Sequence, residues 1–174
     1  MKRSYLLVAL IALVSAGIGI FMGSQRWSPA AAENSAAAAF YRQSLPDVHN
    51  TPQPLSQWQG KTLVVNFWAT WCAPCVDEMP ELSALQKEAA AKNIQIIGIG
   101  IDSAGNIKDF SEKHRIGYPL YVAGISGTEL ARQFGNQAGG LPYTVLLSPS
   151  GEVRKTYLGR LKMEALKKDL GLTP

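Results

Sequence analysis

The sequence predicts an α/β domain with a mixed β-sheet flanked by helices, preceded by one N-terminal transmembrane helix. Three observations carry this. The runs "TLVVNFW" and "IQIIGIGI" are β-branched, aromatic and almost wholly apolar, as strands buried on both faces of a parallel sheet are. Helical spacing lies between them, and the last third reads as a hairpin followed by a helix, so strands alternate with helices before an antiparallel pair closes the sheet. The front of the chain carries a long stretch without a single charge.

That stretch, "YLLVALIALVSAGIGIFMG" from Tyr5 to Gly23, follows the basic start Met1-Lys2-Arg3. At about 1.5 Å per helical residue it spans roughly 27–29 Å, close to the hydrocarbon thickness of a bilayer. A cleaved signal has a shorter apolar core, of about 7–15 residues, so residues 1–26 are expected to be an uncleaved anchor. The competing reading is cleavage after the small-residue run "PAAA" ending at Ala32. Lys2 and Arg3 favour the cytoplasmic side, which places the remainder outside the cytoplasm, where disulfides persist. The expected location is the inner (cytoplasmic) membrane, crossed once, with the catalytic domain on the periplasmic or extracytoplasmic side.

With 174 residues and 47% hydrophobic content, the chain suits one compact domain beside the anchor. Its formal charge of +4 owes much to Lys2, Arg3 and Arg26; of 17 basic residues 14 remain, facing 13 acidic ones. No basic stripe with interleaved aromatics is present, so nucleic acid is not an expected partner.

After the anchor, residues 27–43 form an Ala-rich stretch expected to be a tether or weak helix, and the domain is expected over 44–174. Pro46, Pro52 and Pro54 predict an irregular or hairpin-like start. The first sure strand is Thr62 to Trp68. A helix over Ala73 to Ala91 follows from Val76, Met79, Leu82, Leu85 and Ala89, with Pro80 expected to kink it. Ile94 to Ile101 is the second strand. "NIKDFSEKHRI" reads as an amphipathic helix, "YPLYVA" as a short strand and "GTELARQFG" as a short helix closed by Gly135. "YTVLLS", the turn "PSGE" and "VRKTYLG" make the hairpin, and "KMEALKKDL" the last helix.

The chain has two cysteines, Cys72 and Cys75, two residues apart. A structural zinc site needs four ligands, and the two histidines, His49 and His114, lie far from the pair in sequence, so no metal is expected. Haem attachment needs His directly after the second cysteine, where Val76 stands. An inert staple is a poor reading as well, since a disulfide closing so short a loop removes little chain entropy. Reactivity fits the positions. Cys72 falls at a strand-to-helix junction, where free N–H groups and the helix dipole favour a thiolate. Cys72 is therefore the expected nucleophile. Cys75, one turn on and shielded by the helix, is the expected resolving thiol. Pro74 suits a first helical turn, and the small Ala73 leaves the nucleophile approachable.

"VVNFWATWCAPC" after a buried strand, Pro80 five residues beyond Cys75 and the later "GGLPYTVLLSPSG" together resemble the membrane-anchored, thioredoxin-like proteins of the TlpA/ResA type. The likeness runs from about Leu45 to the C-terminus. It implies a thioredoxin-like fold and a thiol:disulfide oxidoreductase with no cofactor beyond a redox-active Cys72–Cys75 disulfide. It also implies that Pro142 is cis and, with Leu141, Trp71 and Pro74, contacts substrate. Glu78 matches the family's helix glutamate, a proton acceptor one turn after Cys75; its plainer reading is an acidic residue favoured near a helix N-terminus. Trp68 belongs either to the site's aromatic surround or to the core alone. Thioredoxin itself has a buried aspartate where Asn66 stands, and an amide accepts no proton, which shifts weight to Glu78. About Ala104 to Tyr121 resembles the family's inserted helix and strand, with His114 expected on a solvated face.

The expected reaction is reduction of disulfides in exported proteins. By resemblance the clients are the Cys-x-x-Cys-His of apocytochrome c or metal-site assembly proteins, such as those for copper, and the electron donor is a membrane carrier of the DsbD/CcdA kind. Two rivals stand: an oxidant or isomerase of the same fold, and a binding or chaperone module whose cysteines are incidental.

Overall fold

The structure, a computed structural model, describes residues 29–173. The anchor expected over 1–26 lies outside the described residues, among which no helix is long and apolar enough to cross a membrane. Glu33–Pro174 forms one compact unit.

The fold is a five-stranded mixed sheet with helices on both faces. Strands β3 (Thr62–Trp68), β4 (Ile94–Gly100) and β5 (Leu120–Val122) run parallel, while β6 (Tyr143–Leu147) and β7 (Val153–Leu158) are antiparallel, in the order β5-β4-β3-β6-β7. Alternation along β3 sends Leu63, Val65 and Phe67 into one core cluster and Val64 and Trp68 into the other. Asn66 shares the second face and lies between Gly98 of β4 and Thr144 of β6. The expected hairpin-like start is a two-stranded ribbon, β1 (Ser44–Pro46) with β2 (Pro52–Pro54), followed by a 3₁₀ turn at Leu55–Trp58.

Of the two forms expected for the Ala-rich stretch the helix is the one found, and what departs from expectation is its packing into the domain. Pro29–Tyr41 is a helix, α1, and Ala36, Ala37, Phe40 and Tyr41 are buried in the domain core. Small alanines let this helix lie close, and Phe40 meets Phe134 edge-on at 5.7 Å between ring centroids. The folded unit therefore starts at Glu33 rather than at residue 44.

Helix α2 (Ala73–Ala89) buries Cys75, Glu78, Met79, Leu82, Leu85, Gln86 and Ala89, the stripe that 3.6-residue spacing produces. It runs on through Pro80, which sits on the exposed side, where a missing backbone bond costs least. A 3₁₀ turn and Asn93, left-handed at φ 57°, end it two residues before the expected Ala91. Helix α3 (Ala104–His114) begins and ends two residues earlier than the periodicity predicts, because Ser103 caps its start, accepting from the Asn106 N–H at 3.2 Å, and Arg115 turns left-handed at φ 51°. His114 is half-buried and stacks on Phe110 at 4.3 Å, so the expected solvated face is corrected there. Helices α4 (Ser126–Gln133) and α5 (Met163–Asp169) complete the layers.

Candidate active site

The C-terminal ends of β3, β4 and β5, the start of β6 and the end of β7 share one edge of the sheet. The site assembles there. Leaving β3, the chain turns through Ala69–Trp71 and enters α2 with Cys72 as its N-cap residue and Pro74 in the first turn. The Cys75 and Val76 N–H groups both donate to the Cys72 carbonyl, at 3.0 and 3.1 Å. Cys72 and Cys75 are joined, with S–S 2.06 Å and Cα–Cα 5.3 Å. The two sulfurs' residues are not equivalent: Cys72 is 7% exposed and Cys75 fully buried. An attacking partner reaches Cys72 first, at the positive end of the α2 dipole. Trp71 beside it is 69% exposed, and Pro74 is also open to solvent.

One turn beyond Cys75, Glu78 is fully buried. Asn66 donates to its Oε1 at 2.7 Å and the Leu161 N–H to its Oε2 at 2.8 Å. Asn66 also donates to Thr144 Oγ1 at 3.0 Å, which ties the amide to the neighbouring strand β6. Burial pushes the Glu78 carboxyl up to about 7, against the pull of the Leu161 N–H, Asn66 and the nearby Arg160; Glu81 adds to the rise. Tyr118 faces the same core, and its phenol is driven far above its ordinary range by burial and then by the charge on Glu78.

Across the sheet edge the Leu141–Pro142 bond is cis, with Pro142 buried at the head of β6 and its carbonyl accepting from the Gly159 N–H at 2.8 Å. Trp68 is core, fully buried with its ring centroid 4.9 Å from that of Phe110.

Four contributors were not singled out from sequence. Leu161 acts through a backbone N–H, which no side-chain pattern reveals. Asp102 accepts from the Thr70 hydroxyl and so ties the Cys72 loop to the β4–α3 loop. Burial raises its carboxyl, but bonds from Thr70, Asn106 and Ser103 outweigh that and hold it below the ordinary range. Arg160 reaches α2, and Tyr118 lies near Glu78 only because β5 packs beside β4. Among the described residues no three His, Cys, Asp or Glu side chains gather as ligands for a metal ion.

A family model described as the AhpC/TSA family matches residues 36–156. The chain is 27% identical over 164 residues to the thiol-disulfide oxidoreductase ResA of Geobacillus thermodenitrificans, covering 94% of this chain and 90% of that one. Among solved structures it is similar to a putative thioredoxin from Neisseria meningitidis, at 27% identity and TM-score 0.64 over 74% of this chain and 85% of that one. A thiol:disulfide interchange protein of the thioredoxin family from Chlorobium tepidum superposes at TM-score 0.64 with 28% identity, over 75% and 91% of the two chains.

Proposed function

Because the chain belongs to the AhpC/TSA family and is a TlpA/ResA-like thiol:disulfide oxidoreductase of thioredoxin-like fold, we propose that it reduces disulfides of exported proteins by dithiol exchange through Cys72 and Cys75. The observation that carries this reading is the buried Glu78 carboxyl, held one turn beyond a cysteine pair whose outer member alone is accessible.

In the reduced enzyme, Cys72 thiolate attacks one sulfur of a client disulfide; a Cys72–client S–S bond forms and one client thiolate leaves. Glu78 carboxylate takes the Cys75 proton, and the Cys75 thiolate attacks Cys72 Sγ. The Cys72–Cys75 bond forms, the second client thiolate leaves, and Glu78 returns its proton to it or to water. Two electrons pass from the enzyme dithiol to the client. A carboxyl near neutrality serves both proton steps, since an acid–base group works best with its pKa close to the working pH. Trp71 and Pro74, exposed beside Cys72, and Leu141 and Pro142, at the cis bond on the same end of the sheet, are assigned to the client.

The reducing electrons come in this reading from a membrane carrier of the DsbD/CcdA kind, and no cofactor beyond the disulfide takes part. The charge-free run Tyr5 to Gly23 behind a basic start supports a domain anchored outside the cytoplasm. Apocytochrome c and metal-site assembly proteins are the proposed clients.

Cys75→Ser tests the chemistry: it should leave Cys72 locked in mixed disulfides with clients, which Cys72→Ser should not. Trapping by Cys72→Ser instead reverses the two roles, and undiminished function with both cysteines replaced sinks the enzymatic reading for a binding module. The reduction potential tests direction, on a scale from about −270 mV for thioredoxin to about −120 mV for the oxidant DsbA. A value at the oxidant end means that the pair donates disulfides.

A further inference from the structure

Three consecutive residues of the β7–α5 loop make three separate attachments. Gly159, at φ +85°, donates its N–H to the Pro142 carbonyl at 2.8 Å. Arg160 reaches α2, with Nη2 2.8 Å from Glu81 Oε1 and Nη1 3.8 Å from Asp77 Oδ2. Leu161 turns inward and gives its N–H to Glu78 Oε2 at 2.8 Å. One guanidinium thus spans two carboxylates four residues apart on the helix, and Glu78 lies between them in sequence. Each exposed ion pair alone is weak. Their combined effect is to hold a short loop against α2 where a buried carboxylate needs a donor.

We propose that Arg160 is a positioning residue for thiol–disulfide exchange: its clamp on Asp77 and Glu81 keeps the Leu161 N–H on Glu78, while the same loop braces the Pro142 carbonyl through Gly159. Loss of the clamp frees Leu161 to withdraw, and a buried carboxylate deprived of a donor becomes harder to ionise. Every other group facing Glu78 stays in place: Asn66 from β3, backed by Thr144 of β6; Tyr118 from the segment before β5; Glu81 and Cys75 on α2 itself. The proposal rests on Glu78 as the proton acceptor, so its test separates the two claims.

The test uses full-length oxidised protein in detergent, labelled with ¹³C-glutamate, with the Glu78 carboxyl signal assigned by its loss in Glu78→Gln. In Arg160→Ala the titration midpoint should rise by roughly one pH unit, about the weight of one charge-assisted hydrogen bond. Arg160→Lys, which keeps the charge but not the fork, should bring it part of the way back. An unmoved midpoint in Arg160→Ala overturns the clamp. A shift that Lys reverses in full overturns it too, because the positive charge acting on Glu78 through space would then suffice without the fork. The pH profile of exchange with a disulfide peptide is read on the same variants: if it follows the shifted midpoint, the positioning role stands. If Glu78→Gln leaves that profile unchanged, the acceptor reading fails while the titration still reports on the clamp.

Discussion

Glu78 is the residue at which folding and chemistry oppose each other. Its carboxyl has an ordinary value of 4.5 and is raised to about 7 by burial. Between those values the folded chain holds a proton that the unfolded chain has released, so stability falls as pH rises from 4.5 to 7 and is level above that. Glu78→Gln, neutral at every pH, removes this slope, although its amide nitrogen cannot accept the N–H bond that the second carboxyl oxygen takes. Its stability relative to the parent should therefore start lower at pH 4 and rise by about 1–3 kcal/mol by pH 8. Thermal melts of the oxidised protein at both pH values check this. The same substitution should remove the rise of the Cys75 resolving step through neutral pH. Cys72, Cys75 and Glu78 were legible because they share one helix at i, i+3 and i+6. The donors on Glu78 were not: Asn66 was visible only as a departure from thioredoxin, and Leu161 comes from 83 positions away.

At the scale of elements, hydrophobic period revealed the five strands of the sheet and its helices other than α1, and caps decided where several of them end. Ser103 ahead of α3 and left-handed Asn93 and Arg115 moved boundaries by about two residues, because one side-chain bond or one positive φ outweighs the periodicity of a final turn. The packing of helix α1 was missed for a different reason. An alanine stretch has no apolar stripe to read, and small residues pack against a sheet without announcing which side they bury. Phe40 and Tyr41 were the available signal. If α1 is integral, Phe40→Ala should cost about 3–5 kcal/mol, the usual loss for a buried phenylalanine, whereas a tether would leave stability unchanged. Urea unfolding of Phe40→Ala distinguishes these, and a chain begun at Ser44 should lose still more.

Across the whole domain, strand order could not be read from the sequence. The order β5-β4-β3-β6-β7 is set by which faces and edges pack, and it brings Cys72, Asp102, Pro142 and Leu161 from four separate connections to one end of the sheet. That convergence makes the redox state of one bond a property of the entire fold. A strong oxidant owes its potential to a reduced form more stable than its disulfide form; a reductant requires the opposite order. Here a reduced Cys72 thiolate gains the α2 dipole, but the Glu78 carboxylate beneath it is already costly to bury, and a second negative charge nearby is disfavoured. If the chain is the reductant proposed above, the disulfide form is the more stable one at and above neutral pH. The full-length protein should therefore melt at a higher temperature oxidised than reduced at pH 8, and Glu78→Gln should narrow the gap by relieving the reduced state. A reduced protein that melts higher would place the chain among disulfide donors and overturn the direction proposed for it.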